Sequence, residues 1–267
     1  MTTNLPDLRI LSTARIRGHG LLLRPWDPDS EADAGAWLRG NTDPEFRRWN
    51  TPITPVTDRA GARESLRTRA ERAREGAAAT FAITDEDSGT VLGHIGMNDV
   101  RRFLASAAVG YWVLPEARGR GVATRALGLI ADWGFTELGL HRMELDHVVG
   151  HEVSCRVAER CGFRYEGTMR GALFEEGRRD AFRDAHLHAR LSTDPPPDIA
   201  SGPASGSGAA SGSGAALQHP GSVSGSGARS GSGAASGSGA ALQHPGSVSG
   251  SGSASRPASA SHPEPAQ

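Results

Sequence analysis

Alternation of apolar and polar residues predicts a series of short strands over the first 191 residues of the chain. The predicted strands are Leu21–Arg24, Thr80–Thr84, Val91–Gly96, Ala107–Leu114, Met143–Val149, Phe163–Arg170 and about Phe182–Leu191. Pro25 ends the first of them and Pro115 ends the fourth, because proline cannot donate a backbone N–H to a neighbouring strand. Strands of this number and length predict one central sheet.

Helical periodicity separates several of these strands. Ser30 or Asp29 caps a short helix through Leu38, and Asp58 caps a helix over 59–75 that is rich in arginine. We expect the second helix to be largely solvated. Between these two helices, residues 43–52 contain two prolines and are predicted to form a loop.

Two further helices follow in the second half of the predicted domain. Ala123–Glu137 carries a broad apolar stripe that ends before Gly139. Val153, Val157 and Cys161 mark one face of a shorter helix. Strands and helices in this order predict a mixed α/β (α+β) fold, with helices flanking a mixed, twisted sheet.

Composition changes near residue 195 and sets the domain boundaries. Residues 195–267 consist mostly of Gly, Ser and Ala, contain no aromatic residue, and include a direct duplication in which Ser205–Gly227 recurs as Ser230–Gly252. Such a segment buries too little apolar surface to offset the entropy of ordering, so we expect a disordered tail. The remaining chain divides into an N-terminal extension, 1–20, and one domain, 20–194.

Charge and cysteine content narrow the function classes. The chain has 29 basic and 30 acidic residues, and all of the basic ones are arginine. This balance gives no general attraction to nucleic acid or to a membrane. Cys155 and Cys161 fall on different faces of one predicted helix, so we expect free thiols in a cytoplasmic protein. The absence of lysine fits either arginine-biased codon usage or an enzyme protected from acylating itself.

The segment from Arg118 to Ala123, Arg-Gly-Arg-Gly-Val-Ala, lies between a predicted strand and the start of a helix. Gly119 and Gly121 allow a tight turn that exposes consecutive N–H groups, and the helix N-terminus adds partial positive charge. Such a turn suits a pyrophosphate. It has neither the Gly-Lys-Ser/Thr of a P-loop nor the position of a dinucleotide loop in a first βαβ unit.

This segment resembles the coenzyme A loop of the Gcn5-related N-acetyltransferases. Two further motifs in the same order extend the resemblance over about 20–191: Leu-Gly-Leu-His-Arg-Met-Glu-Leu from Leu138, and Ser-Cys-Arg-Val-Ala-Glu-Arg-Cys-Gly-Phe from Ser154. Together the motifs are similar to the branch that acetylates ribosomal-protein N-termini. The resemblance implies a single acetyltransferase domain that uses acetyl-CoA as cosubstrate and no metal.

The resemblance also implies roles for individual residues. The strand carrying Trp112, Val113 and Leu114 would pair with the pantetheine arm, and backbone amides of the following loop would hold the pyrophosphate. The implied cofactor-binding residues are Trp112, Val113, Leu114, Arg118, Gly119, Arg120, Gly121, Val122, Ala123, Thr124 and His151. We expect the side chains of Arg118, Arg120 and Arg125 to add positive charge around the pyrophosphate.

One serine and three departures from the family pattern bear on catalysis. Ser154 falls where the branch places a serine that protonates the leaving thiolate, and it could instead cap a helix. His151 replaces the usual Asn. Ala108 and Leu173 occupy positions where relatives carry a glutamate suited to the general-base role. The carboxylates and histidine that remain as candidate bases are Glu175, Glu176, Asp99 and His94.

The empty base positions favour an acceptor amine of low pKa. Neutralising a lysine amine at pH 7 costs about 4–5 kcal/mol, whereas an α-amine costs only about 1–1.4 kcal/mol. We therefore expect acetylation of a protein or peptide N-terminus, a ribosomal protein among the candidates, by a monomer or homodimer. Two alternatives stay open: acetylation of a small-molecule amine, and a non-catalytic scaffold that binds acetyl-CoA.

Overall fold

The computed structural model describes residues 10–197, and within this range eight strands form one sheet. The strands are β1 (Ile16–Gly18), β2 (Leu21–Pro25), β3 (Ala79–Asp85), β4 (Val91–Arg101), β5 (Ser106–Val113), β6 (Arg142–Val148), β7 (Arg164–Phe174) and β8 (Phe182–Leu191). Their order is β1-β2-β3-β4-β5-β6-β8-β7. The predicted mixed α/β class is confirmed. The predicted tail lies outside the described residues from residue 198 onward.

Six α-helices connect or flank these strands in the described part of the chain. They are α1 (Ile10–Thr13), α2 (Glu31–Thr42), α3 (Pro44–Trp49), α4 (Arg59–Arg74), α5 (Val122–Thr136) and α6 (Glu152–Arg160). Ser30 caps α2 and Asp58 caps α4, as predicted. The helix α2 continues past the predicted end at Leu38 to Thr42.

The loop predicted over 43–52 contains the short helix α3, so that prediction was wrong. The side chain of Asp43 accepts a hydrogen bond from the Phe46 N–H at 3.1 Å. Pro44 occupies the first turn, where its missing N–H costs nothing and its fixed φ favours the helix. The prolines therefore bracket a helix, since Pro44 begins it and Pro52 follows it.

Part of the predicted N-terminal extension belongs to the fold. Strand β1 pairs antiparallel with β2 and forms one edge of the sheet. Leu11 of α1 is 1% exposed and packs in the main core. Among residues 1–20, at least 10–18 therefore contribute to the domain.

The only parallel pair in the described sheet is β5 with β6, and it is short. Its register covers Ser106↔Arg142, Ala107↔Met143 and Ala108↔Glu144. Beyond these pairs β5 continues along β4 as far as Val113, and β6 continues along β8 as far as Val148. The two strands therefore separate and leave an opening in the middle of the sheet.

Two apolar clusters pack on the inner strands. The main core contains α5 residues such as Leu127 and Ile130 against Tyr111 and Val113 of β5. The second contains Trp26, Trp37 of α2, Leu66 of α4, and Trp112 and Leu114. Because successive strand residues point to opposite faces, β5 is held from both sides.

Helix α4 is less solvated than predicted. Its Ala62, Leu66 and Ala73 are buried, and the guanidinium of Arg69 lies over the Trp37 ring, 4.9 Å from the ring centroid. Burial lowers the pKa of Arg69 to about 10. One side of this arginine-rich helix therefore belongs to the second cluster.

The described helices include none that is both long enough and apolar enough to cross a bilayer.

The contact between Gly40 of α2 and Trp112 of β5 gives a test of the packing. A Cβ added at Gly40 would overlap the Trp112 ring, whereas one added at Gly35 would meet only the flexible end of Arg59, at 3.3 Å. We predict that Gly40→Ala destabilises the protein by about 1–3 kcal/mol through overpacking. Gly35→Ala, in the same helix, should stabilise it by about 0.5–1 kcal/mol through helix propensity.

Urea unfolding monitored by circular dichroism measures both changes. If both substitutions shift the free energy of unfolding in the same direction, the close approach of α2 to β5 at Gly40 is wrong.

Candidate active site

The opening between β5 and β6 exposes one edge of β5. The Leu114 N–H donates to the Leu92 carbonyl at 2.9 Å, so it points toward β4. Backbone groups alternate in direction along a strand. Trp112 therefore also directs its backbone groups toward β4, and Tyr111 and Val113 direct theirs toward the opening.

This geometry changes the predicted cofactor contacts on β5. Trp112 and Leu114 have side chains in the second cluster and backbone groups in the β4–β5 ladder, so neither is available to pair with a pantetheine arm. Val113 directs its backbone groups toward the opening, and so does Tyr111, which was not singled out from the sequence. The edge of β5 that each residue's backbone groups face decides which residues can bind the arm. That edge becomes known only from the register of β5 with β4.

The loop between β5 and α5 has the conformation that its sequence predicts. Gly119 and Gly121 adopt φ of +71° and +69°, values that L-residues rarely adopt. Gly121 is the N-cap of α5 and no side chain caps that end of the helix. A Cβ at either glycine would meet no atom of residues 10–197 within 4 Å. The backbone amides at the start of α5 are thus open to an anionic ligand, which fits a pyrophosphate.

Two of the three loop arginines are engaged with protein groups. The Arg118 guanidinium forms an ion pair with Asp43, and its Nε donates to the Val113 carbonyl at 3.2 Å. Arg125 donates to the backbone carbonyls of His19 and Arg120. Both side chains therefore fix the loop, and Arg120, which is exposed, is the arginine best able to face a phosphate.

The remaining predicted loop residues sit at the first turn of α5. Val122 and Ala123 are buried, and Thr124 is half-buried. Their side chains anchor the helix start on the main core. The backbone N–H groups of Val122, Ala123 and Thr124 remain available to bind a ligand.

Ser154 lies in the first turn of α6 and is completely buried. Its Oγ is 3.0 Å from the Tyr111 hydroxyl. The hydrogen-bonded pair joins α6 to the part of β5 that has already separated from β6. The two hydroxyls therefore lie at the opening of the sheet.

The capping interpretation of Ser154 is wrong. His151 is the N-cap of α6, and no side chain makes a capping hydrogen bond there. Burial raises the pKa of the Tyr111 hydroxyl, so Tyr111 keeps its proton at neutral pH. When Tyr111 donates to Ser154, the serine proton is free to be donated elsewhere.

His151 is buried between two aromatic side chains. Its ring stacks on Trp49 of α3 with centroids 4.5 Å apart and an interplanar angle of 7°. The His147 ring approaches it edge-on at 6.1 Å. These contacts show His151 as a link between α3 and α6, which is a role the sequence analysis did not assign.

The four candidate bases are engaged elsewhere or exposed. His94 is completely buried, accepts a hydrogen bond from Trp26 Nε1 at 3.1 Å, and has a pKa lowered well below its usual value by burial. Asp99 pairs with Arg101 and Glu175 with Arg178, and Glu176 is exposed. His94 is therefore a core histidine, and the carboxylates have surface partners or face water.

Two buried polar residues of β6, Asp146 and His147, were not identified from the sequence. Asp146 is 1% exposed and follows the last β5–β6 pair, on the face of β6 that carries Val148. His147 is on the other face, and burial lowers its pKa to about 4. The alternation of charged and apolar residues over 142–146 was the available signal for Asp146.

Comparison with known proteins agrees with this geometry. The model of the acetyltransferase (GNAT) domain matches residues 20–164. An uncharacterized N-acetyltransferase, p20 of Bacillus licheniformis, is 30% identical over 55% of this chain and 82% of its own length. Two Escherichia coli enzymes, a ribosomal-protein-serine acetyltransferase and a spermidine N(1)-acetyltransferase, are each 30% identical, over 44% and 37% of this chain and 63% and 53% of their own lengths.

A solved structure gives the same fold. RimL, a ribosomal L7/L12 alpha-N-protein acetyltransferase crystallised with coenzyme A, superposes with a TM-score of 0.59 at 22% identity, covering 67% of this chain and 98% of its own. At this identity the match concerns the fold. The family model, the relatives and the open amide-lined turn agree, and the chain belongs to the GNAT family of acetyl-CoA-dependent N-acetyltransferases.

Proposed function

We propose that this N-acetyltransferase acetylates the α-amine of a protein or peptide N-terminus, and that residues 20–194 form its catalytic unit. The observation that carries the proposal is the buried Tyr111–Ser154 hydroxyl pair at the opening between β5 and β6. Acetyl-CoA supplies an activated thioester. The chain must hold that group, position the amine and supply a proton to the departing sulfur.

Binding would use the backbone more than side chains. The amides that follow Gly119 and Gly121 would hold the pyrophosphate at the start of α5, with Arg120 nearby. The free edge of β5 at Tyr111 and Val113 would hold the pantetheine arm by strand-like hydrogen bonds. This assignment leaves Arg118 and Arg125 as positioning residues.

Proton delivery would use Ser154. Tyr111 donates to Ser154 Oγ, and Ser154 then directs its own proton toward the sulfur as the thiolate leaves. The amine nitrogen forms the new C–N bond as the C–S bond breaks, and its extra proton passes to water. An α-amine is already neutral in a substantial fraction near pH 7.7–8.0, so the enzyme can work without a strong general base.

A ribosomal protein is one candidate acceptor, since one E. coli relative is named for that substrate. The spermidine N(1)-acetyltransferase relative supports the second candidate, a small polyamine. The arginines of α4 do not decide between them, because Arg59 and Arg63 pair with Glu31 and Arg67 pairs with Asp29.

An acceptor screen tests the proposal. Peptides with free N-termini should release coenzyme A thiol from acetyl-CoA, and the product should carry the acetyl group on the α-nitrogen by mass spectrometry. The rate at low peptide concentration should rise with pH through the α-amine pKa of about 7.7–8.0 and level off above about pH 9.

Two further acceptors serve as controls for the same screen. An Nα-blocked peptide with one lysine should react far more slowly, and spermidine tests the polyamine alternative. Turnover of spermidine alone would overturn the assignment to N-termini, and binding of acetyl-CoA with no turnover of any amine would favour the scaffold alternative.

Gly121→Glu tests the anion-binding turn. It places a carboxylate at the open N-terminus of α5, and we predict a loss of acetyl-CoA affinity of about 100-fold, measured by calorimetry. Gly139→Glu is the matched control, because Gly139 has φ of +64° and equally open surroundings. If the two variants lose affinity equally, the loss comes from backbone strain and the assignment fails.

Ser154→Ala tests proton delivery. We predict that kcat falls about 100-fold while the KM for acetyl-CoA changes little, because the hydroxyl acts only as the thiolate leaves. Ser106→Ala is the control, since Ser106 is also buried on β5 but lies among the β5–β6 pairs. An unchanged kcat in Ser154→Ala would leave Ser154 with a packing role only.

A further inference from the structure

Three histidines and a cysteine meet beside the proposed catalytic helix. His147 lies on β6, His186 and His188 lie on β8, and Cys155 lies on α6. One potential ligand atom from each falls within 4.8 Å of all the others. The family resemblance implies no metal, and nothing in the sequence pattern marks any of the three histidines.

Sheet register explains why the histidines converge. His147 is directly opposite His186 in the antiparallel β6–β8 pair, and His188 is two residues farther along β8. Residues two apart share a face of the sheet. This face carries Met143 and Leu145 of the main core, to which α6 also contributes. Cys155 therefore approaches the histidines from the helix side.

Distances within the cluster match a tetrahedral metal site. His147 Nε2 and His188 Nε2 are 3.3 Å apart, and Cys155 Sγ is 3.5 Å from His188 Nε2. A tetrahedral zinc ion, bound at about 2.0–2.1 Å by nitrogen and about 2.3 Å by sulfur, separates two nitrogens by about 3.3–3.4 Å and a nitrogen from sulfur by about 3.6 Å. These two separations are those of a tetrahedral site, and the other pairs of ligand atoms in the cluster lie within 4.8 Å of one another.

Backbone carbonyls orient both buried imidazoles. His147 Nδ1 is 3.1 Å from the Val148 carbonyl, and His188 Nδ1 is 3.4 Å from the Phe163 carbonyl. A carbonyl only accepts, so these contacts favour protons on both Nδ1 atoms. Each Nε2 then presents a lone pair to the other. Two facing lone pairs repel unless a cation lies between them, and this outer-shell pattern is typical of metal-binding histidines.

We propose that His147, Cys155, His186 and His188 bind a tetrahedral divalent metal ion of the zinc class. Imidazole and thiolate ligands suit zinc, cobalt and related ions, and the set offers none of the oxygen ligands that magnesium and calcium prefer. His186 also contributes a buried Nδ1 that has no hydrogen-bond partner among the described residues.

Binding requires one proton to leave. The Cys155 thiol lies 3.7 Å from a Glu159 carboxylate oxygen, to which it donates. Coordination converts the thiol to a thiolate and releases its proton to solvent. His147 and His188 are fully buried, whereas Cys155 and His186 are only partly buried, so an ion can enter from that side.

The ion would connect α6 to β6 and β8 and would not enter the transfer reaction. Ser154 Oγ is hydrogen-bonded to the Tyr111 hydroxyl on β5, whereas Cys155 Sγ lies 3.5 Å from His188 Nε2 on β8. The metal would therefore hold in place the helix that carries Ser154. Its binding can be measured without acetyl-CoA or any acceptor, so failure of this proposal is separate from failure of the proposed function.

Cobalt substitution tests the site in the full chain. After removal of metals with a chelator, Co²⁺ should give the intense visible bands of a tetrahedral site and a near-ultraviolet thiolate-to-cobalt band, at one ion per chain. Zn²⁺ should displace Co²⁺ and abolish both features. Since the chain has two cysteines, the thiolate band identifies one of them as a ligand.

Single substitutions identify which cysteine binds the metal. Cys155→Ser should abolish the thiolate band and weaken Zn²⁺ binding by about 100-fold or more. Cys161→Ser should keep the thiolate band and the Zn²⁺ affinity of the unmodified protein. Zn²⁺ should raise the Tm of the unmodified protein and of Cys161→Ser, but not of Cys155→Ser. If Cys155→Ser fails to fold, His186→Ala should keep the thiolate band and bind more weakly.

Three results would overturn the site. They are the absence of a thiolate band in the unmodified protein, Zn²⁺ affinity that is equal in the unmodified protein and Cys155→Ser, and loss of the band in Cys161→Ser but not in Cys155→Ser. Zn²⁺ bound by the tail histidines His219, His244 and His262 would not need Cys155. Such binding would therefore give equal Zn²⁺ affinity in the unmodified protein and in Cys155→Ser.

Discussion

The three-residue pairing of β5 with β6 is the constraint on which the rest of the molecule depends. Longer pairing would close the sheet and remove both the free edge of β5 and the space in front of Tyr111. Shorter pairing would leave the two halves of the sheet without a connection by backbone hydrogen bonds. The α5 N-terminus lies just beyond the end of β5, so the anion-binding turn and the free strand edge follow one another along a single path.

Helix α6 bridges the two diverging halves. Its neighbouring residues Ser154 and Cys155 point in different directions, one to Tyr111 on β5 and the other to the histidines of β6 and β8. Next to them His151 stacks on Trp49 and brings α3 to the same place. Because the sheet is open here, side-chain contacts from one short helix replace the missing ladder, and the proposed metal would strengthen the half that contacts β8.

The sequence predicted features that depend on local pattern. The apolar stripe of α5, the Asp58 cap and the limits of β8 needed only neighbouring residues. Asp43 and Pro44 also carried a local signal, the side-chain cap followed by proline in the first turn, which was interpreted as a break. Strand register could not be predicted from local sequence, because it depends on pairing between residues that are distant in the chain. For that reason the availability of Val113 over Trp112, the Arg118–Asp43 pair and the His147–His186 pair could not be predicted.

The contact of Gly40 with Trp112 has a consequence for how the family can vary. A Cβ at position 40 would occupy the space that the Trp112 ring fills. A side chain at position 40 therefore requires a smaller side chain at position 112, and a large ring at 112 requires glycine at 40. We expect each change alone to destabilise the protein and the second change to compensate for the first, which is the condition for covariation between distant positions. The strand with the free edge and helix α2 are therefore expected to change together at these two positions.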